Sequence, residues 1–148
     1  MKDFLRFYRW GMEVKLYMSI YTLALVFFRG IVAVLQGENS VNVWIMLEMM
    51  LVSFVFACAQ YVLLPAGRTF ERPERRRRTV VWALLGNALC LGGAAVFRWF
   101  PGIPAWGTAV LVAMLELGLF AMWFGDQVAR RRDTQALNKK LRQFQNEP

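Results

Sequence analysis

Four long apolar stretches dominate the chain and leave little else from which it can fold. They cover 17–36, 43–65, 79–99 and 105–125. A bilayer core is ~30 Å thick, and a helix needs about 20 apolar residues to cross it. Because backbone polar groups must be satisfied within lipid, such stretches fold as helices. We therefore predict an all-α integral membrane protein, a four-helix bundle made of two transmembrane hairpins.

Basic residues give this bundle an orientation. Sixteen of the eighteen Lys and Arg residues lie in three segments, 1–16, 66–78 and 126–148, while the connections 37–42 and 100–104 carry none. Cytoplasmic loops are enriched in Lys and Arg. We predict that both termini are cytoplasmic, in the cytoplasmic (inner or plasma) membrane of a bacterium.

The two ends of the chain read as short cytoplasmic helical extensions. Residues 1–16 have a basic face opposite an aromatic face, which is typical either of a helix lying in the headgroup region or of an extension of the first span. The segment 126–148 is predicted to be a basic tail helix. Its apolar stripe suits a bilayer surface, a second copy of the chain or a partner protein, and it consists of Leu137, Leu141 and Phe144.

Apart from Arg98 at the outer end of the third span, three charged residues fall inside the predicted spans, Arg29, Glu48 and Glu116. A charge there costs ~2.5–3.5 kcal/mol on insertion scales. Helix rise places Arg29 and Glu48 at similar depth in adjacent antiparallel spans, so we predict an ion pair between them. Glu116 lies near the midplane, with Arg29, Asn87 or a proton as its candidate partner. These groups are either polar contacts that fix helix packing or a coupling site for an ion or ligand.

The net charge of +8 is explained by membrane topology and contact with anionic headgroups rather than by direct nucleic-acid binding. The arginines predicted to contact lipid or a partner are Arg75, Arg76, Arg77, Arg78, Arg130, Arg131 and Arg132.

The chain contains no histidine and only two cysteines, Cys58 and Cys90, both within predicted spans. No nucleotide-binding loop, nucleophile constellation or metal motif is present. We therefore expect no metal, no cofactor and no enzymatic activity.

The layout of four spans, an Arg-rich middle connection and the tail segment Asp133-Thr134-Gln135-Ala136-Leu137-Asn138-Lys139-Lys140-Leu141 resembles a bacterial four-helix membrane family of unknown function. Its members are often encoded beside LytTR-type DNA-binding regulators. The resemblance implies a membrane-bound partner that inhibits such a regulator, and it supplies no catalytic residues.

Three functions follow as expectations. The first is a regulatory interaction protein that sequesters or modulates a cytoplasmic LytTR-type regulator. The second is a small transporter or channel that works as a homo-oligomer with Glu116 as its coupling carboxylate. The third is an accessory membrane subunit of a larger transporter.

Overall fold

The computed structural model describes residues 2–38, 40–65 and 70–146. Within its helices, it leaves undescribed the side chains at 2, 3, 6, 130, 133, 137, 139–141 and 144–146. The described residues form four helices, α1 (Lys2–Leu35), α2 (Val43–Leu63), α3 (Arg72–Val96) and α4 (Ala105–Asn146), and no strand. All four are long and apolar enough to cross a membrane. The predicted all-α class with four apolar helices is confirmed.

The helices extend beyond the predicted spans because hydropathy detects only the part that matches lipid. α1 continues without a break from Lys2 into the first span, the arrangement of the alternative in which residues 1–16 extend that span. α4 likewise continues past residue 125 to Asn146. At ~1.5 Å per residue its 42 residues are roughly 63 Å long.

The arginine run lies in the first two turns of α3, whereas the sequence placed 66–78 in a connection. Pro73 suits the first helical turn, where an amide hydrogen has no partner within the helix. Arginine is itself a good helix former. At its other end α3 stops at Val96, because Arg98 takes a positive φ of 53° and turns Trp99 back toward the helix.

The chain divides into two units, Met1–Val112 and Ala113–Pro148. In the first unit α1 packs on α2 and α2 packs on α3. Its buried core contains Leu25, Phe28, Val32, Met49, Trp99 and Phe100. The second unit contains the remainder of α4, in which the ring of Phe120 lies 5.7 Å from that of Trp123.

Candidate functional site

Arg29 is the most buried charged residue described, with 3% of its surface exposed. Its Nη2 donates to Glu38 Oε2 at 2.8 Å. Its Nε and Nη1 are buried and have no hydrogen-bond partner among the described residues. Arg29 is thus a buried cation in which one of the three guanidinium nitrogen atoms donates a hydrogen bond.

The structure does not form the predicted ion pair between Arg29 and Glu48. The partner is Glu38, because the chain turns at Gly37, whose φ is +74°, and brings Glu38 back over the end of α1. Glycine adopts such a φ without the steric cost that a Cβ brings. Glu48 instead accepts a hydrogen bond from Trp99 Nε1 at 3.1 Å. Matching depth along two helices could not anticipate a carboxylate supplied by the connection between them.

An open cavity of about 620 Å³ lies beside Arg29 at the connection between α1 and α2. Arg29, Glu38, Ser40, Val41 and Asn42 line it. Asn42 is also the N-cap of α2, where its Oδ1 accepts from Trp44 N at 2.9 Å. The cavity therefore borders both a guanidinium and the N-terminus of a helix.

A second polar group joins the three helices of the first unit. Gln60 Oε1 accepts from Tyr21 Oη and from Trp82 Nε1, the latter at 3.2 Å. All three residues are buried. Aromatic residues near the ends of spans are typical of a membrane interface, yet Tyr21, Trp82 and Trp99 are each buried and donate a hydrogen bond inside the protein. The signal that could have revealed this group is the spacing of Ser53 and Gln60, seven residues apart on one face of α2.

The remaining predicted polar residues, Asn87 and Glu116, lie in different units. Asn87 is half-buried, and its Nδ2 donates to Ala83 O of its own helix at 3.1 Å. Glu116 lies in the apolar part of α4 and is exposed. A partner for Glu116 stays a prediction.

The four arginines at the start of α3 have different surroundings. Arg78 donates to Glu74 at 3.0 Å and to the carbonyl oxygen of Leu63, the last residue of α2, at 3.3 Å. Its guanidinium also lies 4.3 Å from the centre of the Phe70 ring. Arg78 therefore ties α2 to α3, whereas Arg76 and Arg77 are exposed and Arg75 is half-buried.

The predicted tail residues lie on the helical continuation of α4. Arg131 and Arg132 are exposed there. The side chains of Arg130, Leu137, Leu141 and Phe144 are outside the described part of the structure. The contacts of the predicted apolar stripe are therefore still a prediction.

No group of three or more His, Cys, Asp or Glu residues that could hold a metal ion occurs in the described ranges. Cys58 is half-buried and Cys90 is buried, and both are free thiols.

Four apolar helices of spanning length, three of them joined by buried hydrogen bonds to Gln60, define a multi-pass helical membrane protein. Comparisons with protein-family models, curated proteins and solved structures found no match to the chain.

Proposed function

We propose that this chain is a membrane-anchored regulatory interaction protein of the bacterial cytoplasmic membrane, with both termini in the cytoplasm. It holds a soluble transcriptional regulator of the LytTR type through the part of α4 that follows residue 125. The observation that carries the proposal is the continuation of α4 to Asn146, well beyond the length that a bilayer requires.

The orientation rests on where the charges lie along the helices. Arg76 and Arg77 are exposed at the start of α3, and Arg131 and Arg132 are exposed on α4 after its apolar part. Exposed arginines at a membrane surface are favoured on the cytoplasmic side, where they also meet anionic headgroups. At the opposite side, the connection between α1 and α2 carries no basic residue and the connection between α3 and α4 carries one, Arg98.

The α4 extension, residues 126–146, has the properties of a docking element. Its 21 residues are roughly 31 Å long at the helical rise. Its described side chains beyond Arg130 are exposed and mostly polar. A helix of this kind gains little stability from its own sequence in water, so packing of its apolar stripe against another surface stabilises it.

We choose a protein partner because of the direction in which α4 continues and because of the basic residues beside its apolar stripe. A straight continuation of a membrane-crossing helix leaves the headgroup region within a few turns, so lipid alone cannot cover the stripe along its length. Basic residues flank the stripe, which suits a groove with an acidic rim. The choice of a LytTR-type regulator as the partner rests on the resemblance of 133–141 to the family encoded beside such regulators.

The test first asks whether a LytTR-type regulator is encoded beside the gene of this chain, since absence of one would contradict the choice of partner. A regulator found there is co-purified with the full chain in lipid nanodiscs. The double variant Leu137→Asp/Leu141→Asp places two charges in the stripe. We expect its affinity for the regulator to fall at least about tenfold, since burying an unpaired charge costs more than 1.4 kcal/mol, the equivalent of a tenfold change.

The matched control is Gln135→Asp/Gln143→Asp, which adds the same charge on other faces of the same helix. Its affinity is expected to stay within about twofold of wild type, because exposed substitutions cost little. The proposal fails if the regulator never associates with the wild-type chain, or if the two double variants bind it equally well.

Glu116 favours a second candidate function, a small oligomeric transporter or channel. A carboxylate exposed on an apolar helix is costly in lipid, and a second copy of the chain or a bound proton would relieve that cost. Proteoliposomes loaded with a pH-sensitive dye test this candidate. Proton or cation flux that Glu116→Gln abolishes supports it, and absence of flux from the wild-type chain rejects it.

A further inference from the structure

We propose that the cavity beside Arg29 is a binding site for a small oxyanion, a carboxylate or a phosphate, which takes the place of Glu38 on the guanidinium. This site is at the opposite end of the α1–α2 hairpin from the arginine run of α3. It is independent of the function proposed for the α4 extension.

The first observation is the incomplete pairing of Arg29. The guanidinium is a planar fork of five N–H donors that matches a carboxylate or phosphate bidentately. Glu38 occupies only Nη2, while Nε and Nη1 are buried without a partner among the described residues. A buried cation paired in this way is unfavourable unless further acceptors reach it.

The second observation is the cavity and its lining. Its volume of about 620 Å³ falls in the range of small-ligand sites, ~300–1,000 Å³. Ser40, Val41 and Asn42 bring the start of α2 to its wall. A helix N-terminus carries unsatisfied amide hydrogens and a partial positive charge that favour an anion. The first turn of α2 contains no acidic residue that would cancel this charge.

The third observation is the unequal exposure of the two paired side chains. Its side chain is 44% exposed, whereas that of Arg29 is 4% exposed. Glu38 lies in the connection after Gly37 rather than on a helix, so it can turn toward solvent without moving α1 or α2. An entering oxyanion can then pair with two nitrogens of Arg29 in place of the single bond that Glu38 makes.

The experiment uses the full chain in phosphatidylcholine nanodiscs, titrated with inorganic phosphate or acetate at constant ionic strength, with chloride as the reference. Isothermal titration calorimetry gives the Kd of each anion. We expect both anions to bind the wild-type chain. Glu38→Gln should lower the Kd about tenfold, because it removes a competing charge-assisted hydrogen bond.

Three variants complete the design. Arg29→Gln should abolish binding. Arg98→Gln removes an exposed arginine from the connection between α3 and α4. Glu71→Gln removes an exposed carboxylate from the connection between α2 and α3. Both should leave the Kd within about twofold of wild type.

The proposal is overturned if phosphate and acetate bind neither the wild-type chain nor Glu38→Gln, or if Arg29→Gln binds like wild type. Should Arg29→Gln fail to fold, Glu38→Gln decides, and an unchanged Kd overturns the proposal. Phosphatidylglycerol nanodiscs separate the two sources of the anion. Weakened phosphate binding in them assigns the site to a lipid headgroup, and unchanged binding assigns it to a free anion.

Discussion

Gln60 accepts hydrogen bonds from residues of two other helices with a single oxygen atom. Tyr21 of α1 and Trp82 of α3 both donate to its Oε1, and Phe56 of α2 packs against the rings of both donors. In lipid, helix association depends on close packing and on hydrogen bonds between helices rather than on the hydrophobic effect. Gln60 therefore fixes which faces of α1, α2 and α3 meet.

Replacement of Gln60 by Leu should destabilise the protein by about 1–3 kcal/mol, because two buried donors lose their acceptor. Unfolding in mixed micelles with increasing dodecyl sulfate measures the change. Tyr21→Phe alone should cost less, since it removes one hydrogen bond and leaves no donor unpaired.

The double variant Tyr21→Phe/Gln60→Leu provides the control. Its cost should be smaller than the sum of the two single variants, because the hydroxyl group that Gln60→Leu leaves unpaired is absent. Strictly additive costs would contradict the assigned hydrogen bond.

At the scale of the element, the ends of the helices differ most from what the sequence predicted. Apolar length was sufficient to place all four helices, because a span must match the bilayer. Apolar length did not predict the first two turns of α3 or the full extent of α4 past residue 125. In those segments helix propensity rather than lipid determines the structure. The pairing of Arg29 was missed for a related reason, since helix rise carries no information about a connection that folds back.

The close approach of Trp99 to α3 can be tested with alanine substitutions at two neighbouring glycines. A Cβ added at Gly93 would lie 2.9 Å from Trp99 Cη2, whereas one added at Gly92 would meet nothing within 4 Å. Gly93→Ala should therefore destabilise the protein by about 1–3 kcal/mol through overpacking. Gly92→Ala should be neutral or stabilising by up to about 1 kcal/mol from helix propensity.

Thermal unfolding followed by circular dichroism distinguishes these two variants. Equal melting temperatures for Gly92→Ala and Gly93→Ala would contradict the packing of Trp99 on α3.

Neighbouring arginines at the start of α3 should likewise respond differently. Arg78→Gln loses the contacts to Glu74, to the Leu63 carbonyl and to the Phe70 ring. Because the Arg78 side chain is 32% exposed, solvent screening limits the expected cost to about 1 kcal/mol. Arg77→Gln, at an exposed position, should change the free energy of unfolding by less than about 0.5 kcal/mol. The same dodecyl sulfate titration compares them, and a larger effect at Arg77 would refute the link between α2 and α3.

At the scale of the whole molecule, the proposed orientation predicts which exposed positions a membrane-impermeant thiol reagent reaches. In a background with Cys58→Ala and Cys90→Ala, the variant Arg98→Cys should be labelled in intact cells. Arg76→Cys should be labelled only after the membrane is permeabilised. Both arginines are exposed, so accessibility within the protein does not distinguish them. The reverse pattern would place the termini outside the cell.

Because the tryptophans differ in exposure, the intrinsic fluorescence of the chain can report on lipid contact. Trp82 and Trp99 are 2% and 0% exposed, whereas Trp44 and Trp106 are 72% and 65% exposed. Brominated lipids quench indole emission on contact, so they should remove the fluorescence of the exposed pair and spare that of the buried pair. In a variant with Trp10→Phe and Trp123→Phe, which removes the other two tryptophans, the surviving emission would then report on the interior of the first unit without any attached dye.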